Sequence, residues 1–215
     1  MGESIKRIVS PYQDSYSPNG IIGEKDACGV GFIANIQGVE SNWILKQSLK
    51  GLICMEHRGG CGGDSDSGDG AGILCSIPWE YLEEKINLKN TQKFNRGLGM
   101  VFMPNKKEKI EICKSICSKE AEKLKVKKTS WRTVPVNNEI LGPLAKANAP
   151  FICQWILYLD KKDHQDVERL LFQLRKRIEK KIRETFKKYV GDCEFYFASL
   201  SSQTVVYKGM VRSEI

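Results

Sequence analysis

A cysteine heads the run Cys28-Gly29-Val30-Gly31-Phe32, and residues 1–27 before it are polar and rich in Ser, Pro, Gly and Lys. Such a composition packs poorly and reads as a leader or propeptide. If the chain is cut after Ala27, Cys28 carries a thiol and a free α-amino group on one residue. A thiol of pKa ~8.5 is mostly protonated at neutral pH, whereas an α-amine titrating near ~7.7–8.0 can take up and return a proton there. The pair is a nucleophile with its own base, suited to acyl transfer from an amide. A separate histidine is then unnecessary, and the chain has only 2 histidines, neither in a recognisable dyad.

A second cluster of chemistry-bearing residues lies about thirty positions on. Leu52-Ile53-Cys54-Met55-Glu56-His57-Arg58-Gly59-Gly60 leads into Asp64-Ser65-Asp66-Ser67-Gly68-Asp69-Gly70-Ala71-Gly72. Arg58 offers an always-charged, forked set of donors; its alternative role is to anchor a loop through Glu56 or a following Asp. His57 reads as structural. The alternating acids from Asp64 imitate the start of a calcium loop, but Cys75 stands where that loop needs its bidentate Glu. No Gly-Lys-Ser/Thr follows, so it is not a nucleotide-binding loop either. Gly29 and Gly31 permit close backbone approach beside Cys28, or mark an irregular strand start.

These runs resemble the start of the glutaminase (class II glutamine amidotransferase) domain of glutamate synthases. The resemblance returns in Ala198-Ser199-Leu200-Ser201-Ser202 and Val206-Tyr207-Lys208-Gly209-Met210-Val211-Arg212. It implies an α+β fold, a four-layer αββα sandwich of the N-terminal-nucleophile hydrolase type, over residues 28–215. It implies Cys28 as nucleophile, Arg58 as a residue orienting the site, and the 64–72 loop as a flank of the glutamine pocket without a metal. The family's Asn-Gly oxyanion pair and the residues gripping the substrate are expected beyond Ile215, since the only Asn-Gly here is Asn19-Gly20. The domain therefore reads as C-terminally incomplete, the N-terminal part of a longer polypeptide.

For that longer protein the resemblance implies that ammonia freed from L-glutamine aminates 2-oxoglutarate reductively to glutamate. FMN and an iron–sulfur (3Fe-4S) cluster would take part, with electrons from ferredoxin or a nicotinamide-linked subunit; no cofactor is expected in this segment. Two alternatives stand beside this reading. One is the glutaminase domain of another class II amidotransferase, making an amino sugar, a purine precursor or asparagine. The other is a non-catalytic glutamine-binding module.

Bulk properties agree with a globular protein. The chain has 215 residues, 41% hydrophobic and 28% charged, and no apolar run approaches the ~20 residues of a membrane helix. No apolar segment follows Lys6-Arg7, so a secretory signal is absent. The 8 cysteines contain no C-x-x-C pair, and with no export signal they read as thiols in a reducing compartment. Much of the net charge of +8 sits in residues 161–188, with 11 basic against 5 acidic side chains. Apolar residues at helical spacing in the same stretch make it an amphipathic helix with a solvated lysine face, not a nucleic-acid site. The Lys/Ile/Asn-rich composition points to a plastid stroma or a bacterial cytoplasm.

Periodicity and turn residues place strands at 30–36, 73–77, 98–103, 129–136, 151–159, 194–199 and 204–207, with 151–159 central. Helices are expected at 42–57, after Pro78, at 106–125 and at 161–189. Alternating strands and helices leave a parallel sheet open on periodicity alone.

Overall fold

The computed structural model describes residues 29–56, 64, 66–68, 70–85, 95–160, 163–186 and 195–212. Its elements follow in the order α1 (Asn42–Cys54), β1 (Ala71–Ser76), α2 (Trp79–Lys85), β2 (Asn95–Met103), α3 (Lys107–Lys123), β3 (Lys128–Thr133), α4 (Pro143–Ala147), β4 (Phe151–Leu159), α5 (His164–Phe186), β5 (Tyr196–Ser201) and β6 (Thr204–Gly209). The strands form a four-stranded sheet of order β3-β4-β2-β5 and a two-stranded sheet β1-β6. Every pairing is antiparallel, so the parallel alternative is excluded for these strands.

β2 and β4 lie inside the larger sheet because they are apolar on both faces. Val101, Met103, Cys153, Trp155, Leu157 and Phe197 point to one side, where the apolar stripe of α5 (Val167, Leu171, Leu174, Ile178, Ile182, Phe186) and Ile110, Cys113 and Cys117 of α3 cover them. The spacing of that stripe is the helical period that the sequence displays. Leu98, Met100, Phe102, Ile156 and Tyr158 point to the other side, into a second core shared with Leu82 of α2 and Val205 of β6. The small sheet thus packs on the face opposite α3 and α5, and α1 lies against β1.

Among the described strands β5 is an edge of the large sheet, and α5 protects it. Arg175 donates to the Phe197 carbonyl at 2.9 Å, occupying an edge acceptor that another strand could otherwise use. Glu168 receives the Ser201 hydroxyl at 3.0 Å, the Ser202 amide at 2.6 Å and the Ser202 hydroxyl at 2.7 Å. That carboxylate fastens the hairpin by which the chain passes from the large sheet to the small one. Between the main helices, Glu120 of α3 takes Arg177 of α5 at 2.8 Å and Lys123 at 2.5 Å.

One expected strand does not form. Residues 30–36 run without regular structure into a turn in which Gln37 donates to the Asn35 side chain at 2.8 Å and Gly38 to the Asn35 carbonyl at 3.0 Å. Val30 and Phe32 are each 94% exposed. Alternating apolar residues supply a face, but a strand also needs a neighbour's N–H and C=O, and no described strand pairs with this segment. α1 begins as expected, with the Ser41 hydroxyl accepting from the Ile44 amide at 3.3 Å. Its apolar positions nonetheless bury no residue, and Trp43, Leu49 and Ile53 remain exposed.

Candidate functional site

Cys28, His57 and Arg58 lie outside the described residues. What the structure does position is the framework of the two glycine-rich signature runs. β1 continues the Gly-Asp-Gly-Ala-Gly run and β6 carries Val206-Tyr207-Lys208-Gly209. They pair directly, from Ala71 opposite Gly209 to Ser76 opposite Thr204. Segments more than a hundred residues apart in sequence are neighbours in one small sheet.

The loop ahead of β1 is fitted tightly to its surroundings. A side chain at Gly68 would place its Cβ 2.7 Å from the carbonyl carbon and oxygen of Val211, so only glycine lets the two signature backbones approach this closely. On its other side the loop is latched to α4. Asp64 accepts from the Ser67 amide at 2.8 Å, the Ser67 hydroxyl at 2.7 Å and the Leu144 amide at 2.8 Å; the Ser67 hydroxyl in turn accepts from the Ala145 amide at 2.9 Å. Leu144 and Ala145 are the second and third residues of α4, whose N-cap Gly142 has no side chain to offer. Asp64 and Ser67 supply that cap from 80 and 78 residues away. The Leu144 amide, then the Ser67 hydroxyl and amide, hold the Asp64 carboxyl at a pKa of about 2, against an ordinary 3.8.

A polar array that the sequence reading did not single out joins the two sheets. Arg132 on β3 donates to the Gln154 side-chain carbonyl on β4 at 2.8 Å. The Gln154 amide reaches the Tyr207 hydroxyl on β6 at 3.4 Å. Gln154 is only 1% exposed, and burial raises the Tyr207 phenol above its ordinary pKa, with the nearby Cys75 thiol adding to the effect. Burial likewise raises Cys75, so both groups are protonated at neutral pH. The available signal was Gln154 itself, the lone polar residue in the strand Phe-Ile-Cys-Gln-Trp-Ile-Leu-Tyr-Leu: a polar side chain in a buried strand requires partners.

A groove of about 570 Å³ between α3 and α5, lined by Glu111, Ile112, Lys119, Lys123 and Lys181 among others, lies on the opposite face of the large sheet from the signature strands. It contains none of the candidate residues. Among the described cysteines, Cys113 and Cys117 of α3 and Cys153 of β4 are buried, Cys75 of β1 is half-buried, and Cys54 is exposed. Among the described residues no helix is long and apolar enough to cross a membrane.

The sequence family described as glutamine amidotransferases class-II matches residues 28–215, beginning at Cys28 itself. A chloroplastic ferredoxin-dependent glutamate synthase of Oryza sativa subsp. japonica is 43% identical over 209 residues, covering 95% of this chain and 13% of the relative. The chloroplastic/mitochondrial ferredoxin-dependent glutamate synthase 1 of Arabidopsis thaliana is 42% identical over 198 residues, 90% of this chain and 12% of its own length. Ferredoxin-dependent glutamate synthase 2 of Synechocystis sp. is 41% identical over 199 residues, 91% of this chain and 12% of that protein. The chain thus spans about an eighth of the length of the relatives it matches.

Proposed function

The chain belongs to the class II glutamine amidotransferases, and on that premise we propose that it is the glutaminase part of a ferredoxin-dependent glutamate synthase. The observation that carries this reading is the coincidence of two starts: the family match opens at Cys28, the residue that chemistry marks as a nucleophile once residues 1–27 are removed. The Cys28 thiol passes its proton to the α-amine, and the resulting thiolate attacks the side-chain carbonyl of L-glutamine. The amine returns that proton to the leaving nitrogen as ammonia departs, and water cleaves the thioester to glutamate and regenerates the thiol. Arg58 orients the substrate or the nucleophile with its fixed guanidinium fork.

The fold we propose is the four-layer αββα sandwich. Its support is the sequence of packed elements: α3 and α5, the large sheet, the small sheet, and α1 against β1. In the longer protein the ammonia would aminate 2-oxoglutarate. The relatives' names favour ferredoxin over a nicotinamide as electron source, and a plastid or cyanobacterial cytoplasm as the location. FMN and an iron–sulfur cluster are proposed for that longer protein. The described residues of this chain do not fit a cluster: among them no three His, Cys, Asp or Glu side chains gather as metal ligands, and no step is assigned to either cofactor here.

The test is made on the full-length enzyme from its native host. Intact mass should show a chain beginning at Cys28, and a diazo-ketone analogue of glutamine should alkylate that cysteine. Cys28→Ser should abolish glutamine-dependent synthesis of glutamate and leave synthesis from added ammonia. An active enzyme that retains Met1 or Gly2, or equal loss of both activities in the variant, would refute the proposal.

A further inference from the structure

The array between the sheets has more donors than acceptors. Arg132 has five N–H donors, and the polar contact made by its side chain among the described residues is the one to Gln154; it forms no ion pair there. Tyr207 accepts from Gln154, and among the described residues nothing receives its own proton. Ser130, two residues before Arg132 and therefore on the same face of β3, has a buried hydroxyl oxygen without a partner. No carboxylate among the described residues pairs with this group. Arg132 and Tyr207 are only half-buried, and among the described strands β3 is an edge, so no described strand covers that side of the array.

The chain of contacts is polarised in one direction. The guanidinium draws on the Gln154 carbonyl, which sharpens the amide N–H that Gln154 points at Tyr207. Accepting that bond makes the Tyr207 O–H a stronger donor in turn. A cation and a strengthened phenol side by side, with an unpartnered buried hydroxyl next to them and no acid among the described residues to neutralise them, match one ligand chemistry: an anionic oxygen with two acceptor atoms.

We propose that Arg132 and Tyr207, joined through Gln154 and flanked by Ser130, form a carboxylate-binding site between the two sheets, at the β3 edge. Its occupant is a small carboxylate of the amino-acid or 2-oxo-acid class. The glutaminase reading bears only on which carboxylate this is; the site itself rests on the donor array. Cys75 provides a reporter because it lies on the same face of the small sheet as Tyr207, diagonally across the strand pair where Ile73 opposes Tyr207 and Cys75 opposes Val205. A bound carboxylate shields it.

The experiment uses the full-length protein with Cys28→Ser, so that chemistry at the proposed nucleophile plays no part. Alkylation of Cys75 by iodoacetamide is followed by peptide mass spectrometry while L-glutamine, L-glutamate, 2-oxoglutarate or glutaminamide, which lacks the carboxylate, is titrated. At least one of the three carboxylates should slow alkylation about fivefold or more with a saturating dependence, and glutaminamide should not. Tyr207→Phe, which leaves the Arg132–Gln154 contact intact, should weaken the protecting ligand about tenfold, the size expected for one hydrogen bond to a charged group. Arg132→Lys, which keeps the charge but loses the fork, should also weaken it. Urea midpoints of both variants, compared with the parent, separate lost binding from lost folding. Protection by none of the carboxylates, equal protection by glutaminamide, or unchanged affinity in Tyr207→Phe would overturn the site. Each of these results leaves the Cys28 labelling test untouched, so the two proposals fail separately.

Discussion

Replacing Gly142 by alanine should dislodge the signature loop, and the size of the effect follows from the geometry. The new Cβ would lie 2.4 Å from the Ser67 amide nitrogen, 2.5 Å from the Asp66 carbonyl carbon and 2.6 Å from the Ser67 hydroxyl. Two of these atoms are backbone, so no side-chain rotation relieves the clash. Restoring a contact of 3.4 Å from 2.4 Å needs a shift of about 1 Å at Ser67. The same shift stretches the bond from the Ala145 amide to the Ser67 hydroxyl from 2.9 Å to about 3.9 Å, beyond hydrogen-bonding range. Overpacking costs about 1–3 kcal/mol and the lost buried bond about 0.5–1.5 kcal/mol. Together they predict roughly 2–4 kcal/mol, or a fall in melting temperature of roughly 4–16 °C for a chain of this size. Thermal and urea denaturation followed by circular dichroism measure the loss. Hydrogen exchange at the Leu144 and Ala145 amides shows whether the latch has opened. A variant within 0.5 kcal/mol of the parent, with Ala145 still protected, would refute the claim that Gly142 is needed for the close approach.

Gly51→Ala is the complementary case: the added Cβ meets nothing within 4 Å, the site is inside α1, and stability should rise by ~0.5–1 kcal/mol; a loss would mean that α1 packs more closely than described. The Asp64 latch should respond to acid. Its folded pKa of about 2 lies below the ordinary 3.8, so its contribution is complete above the unfolded value and is lost as pH falls through the folded one. The Leu144 amide shift should accordingly titrate with a midpoint near 2, and a midpoint near 4 would contradict the hydrogen bonds assigned to Asp64. Glu168→Ala removes the shared acceptor of the Ser201 and Ser202 donors and should cost ~1–3 kcal/mol, with faster proteolysis at the hairpin; unchanged cleavage there would show that the turn holds itself.

The elements best legible in the sequence were those whose periodicity was reinforced by two-sided burial. β4 matched its expected 151–159 bounds because a nine-residue apolar run with one polar exception, flanked by Pro150, has the length and composition of a strand buried on both faces, and the α5 stripe runs five turns without a break. The 30–36 segment displays the same alternation but is no strand among the described residues, because alternation specifies a face and says nothing of a hydrogen-bonding neighbour. The short α4 was missed for the opposite reason. It has Pro143 at its first turn but five residues carry too little periodicity to see, and the groups that cap it lie in a different motif.

That last point explains what the glycine- and serine-rich signature encodes. Read locally, Asp64-Ser65-Asp66-Ser67 imitates a cation loop, with acidic and hydroxyl oxygens at alternate positions, but lacks the Glu that would complete it, so the sequence left those oxygens without an assigned partner. In three dimensions the oxygens of Asp64 and Ser67 accept backbone amides of α4 and of the loop itself, while Gly68 leaves room for Val211. The loop is therefore shaped from both sides by segments 78 to 143 residues away in sequence, and residue types alone could not have shown which groups those oxygens serve. A loop defined in this way has one conformation to offer the residues that precede it. Cys28 and Arg58 are proposed to act beside that framework, so a change at Gly142, far from either in sequence, should lower glutamine turnover in the full-length enzyme by displacing the loop proposed to border their site.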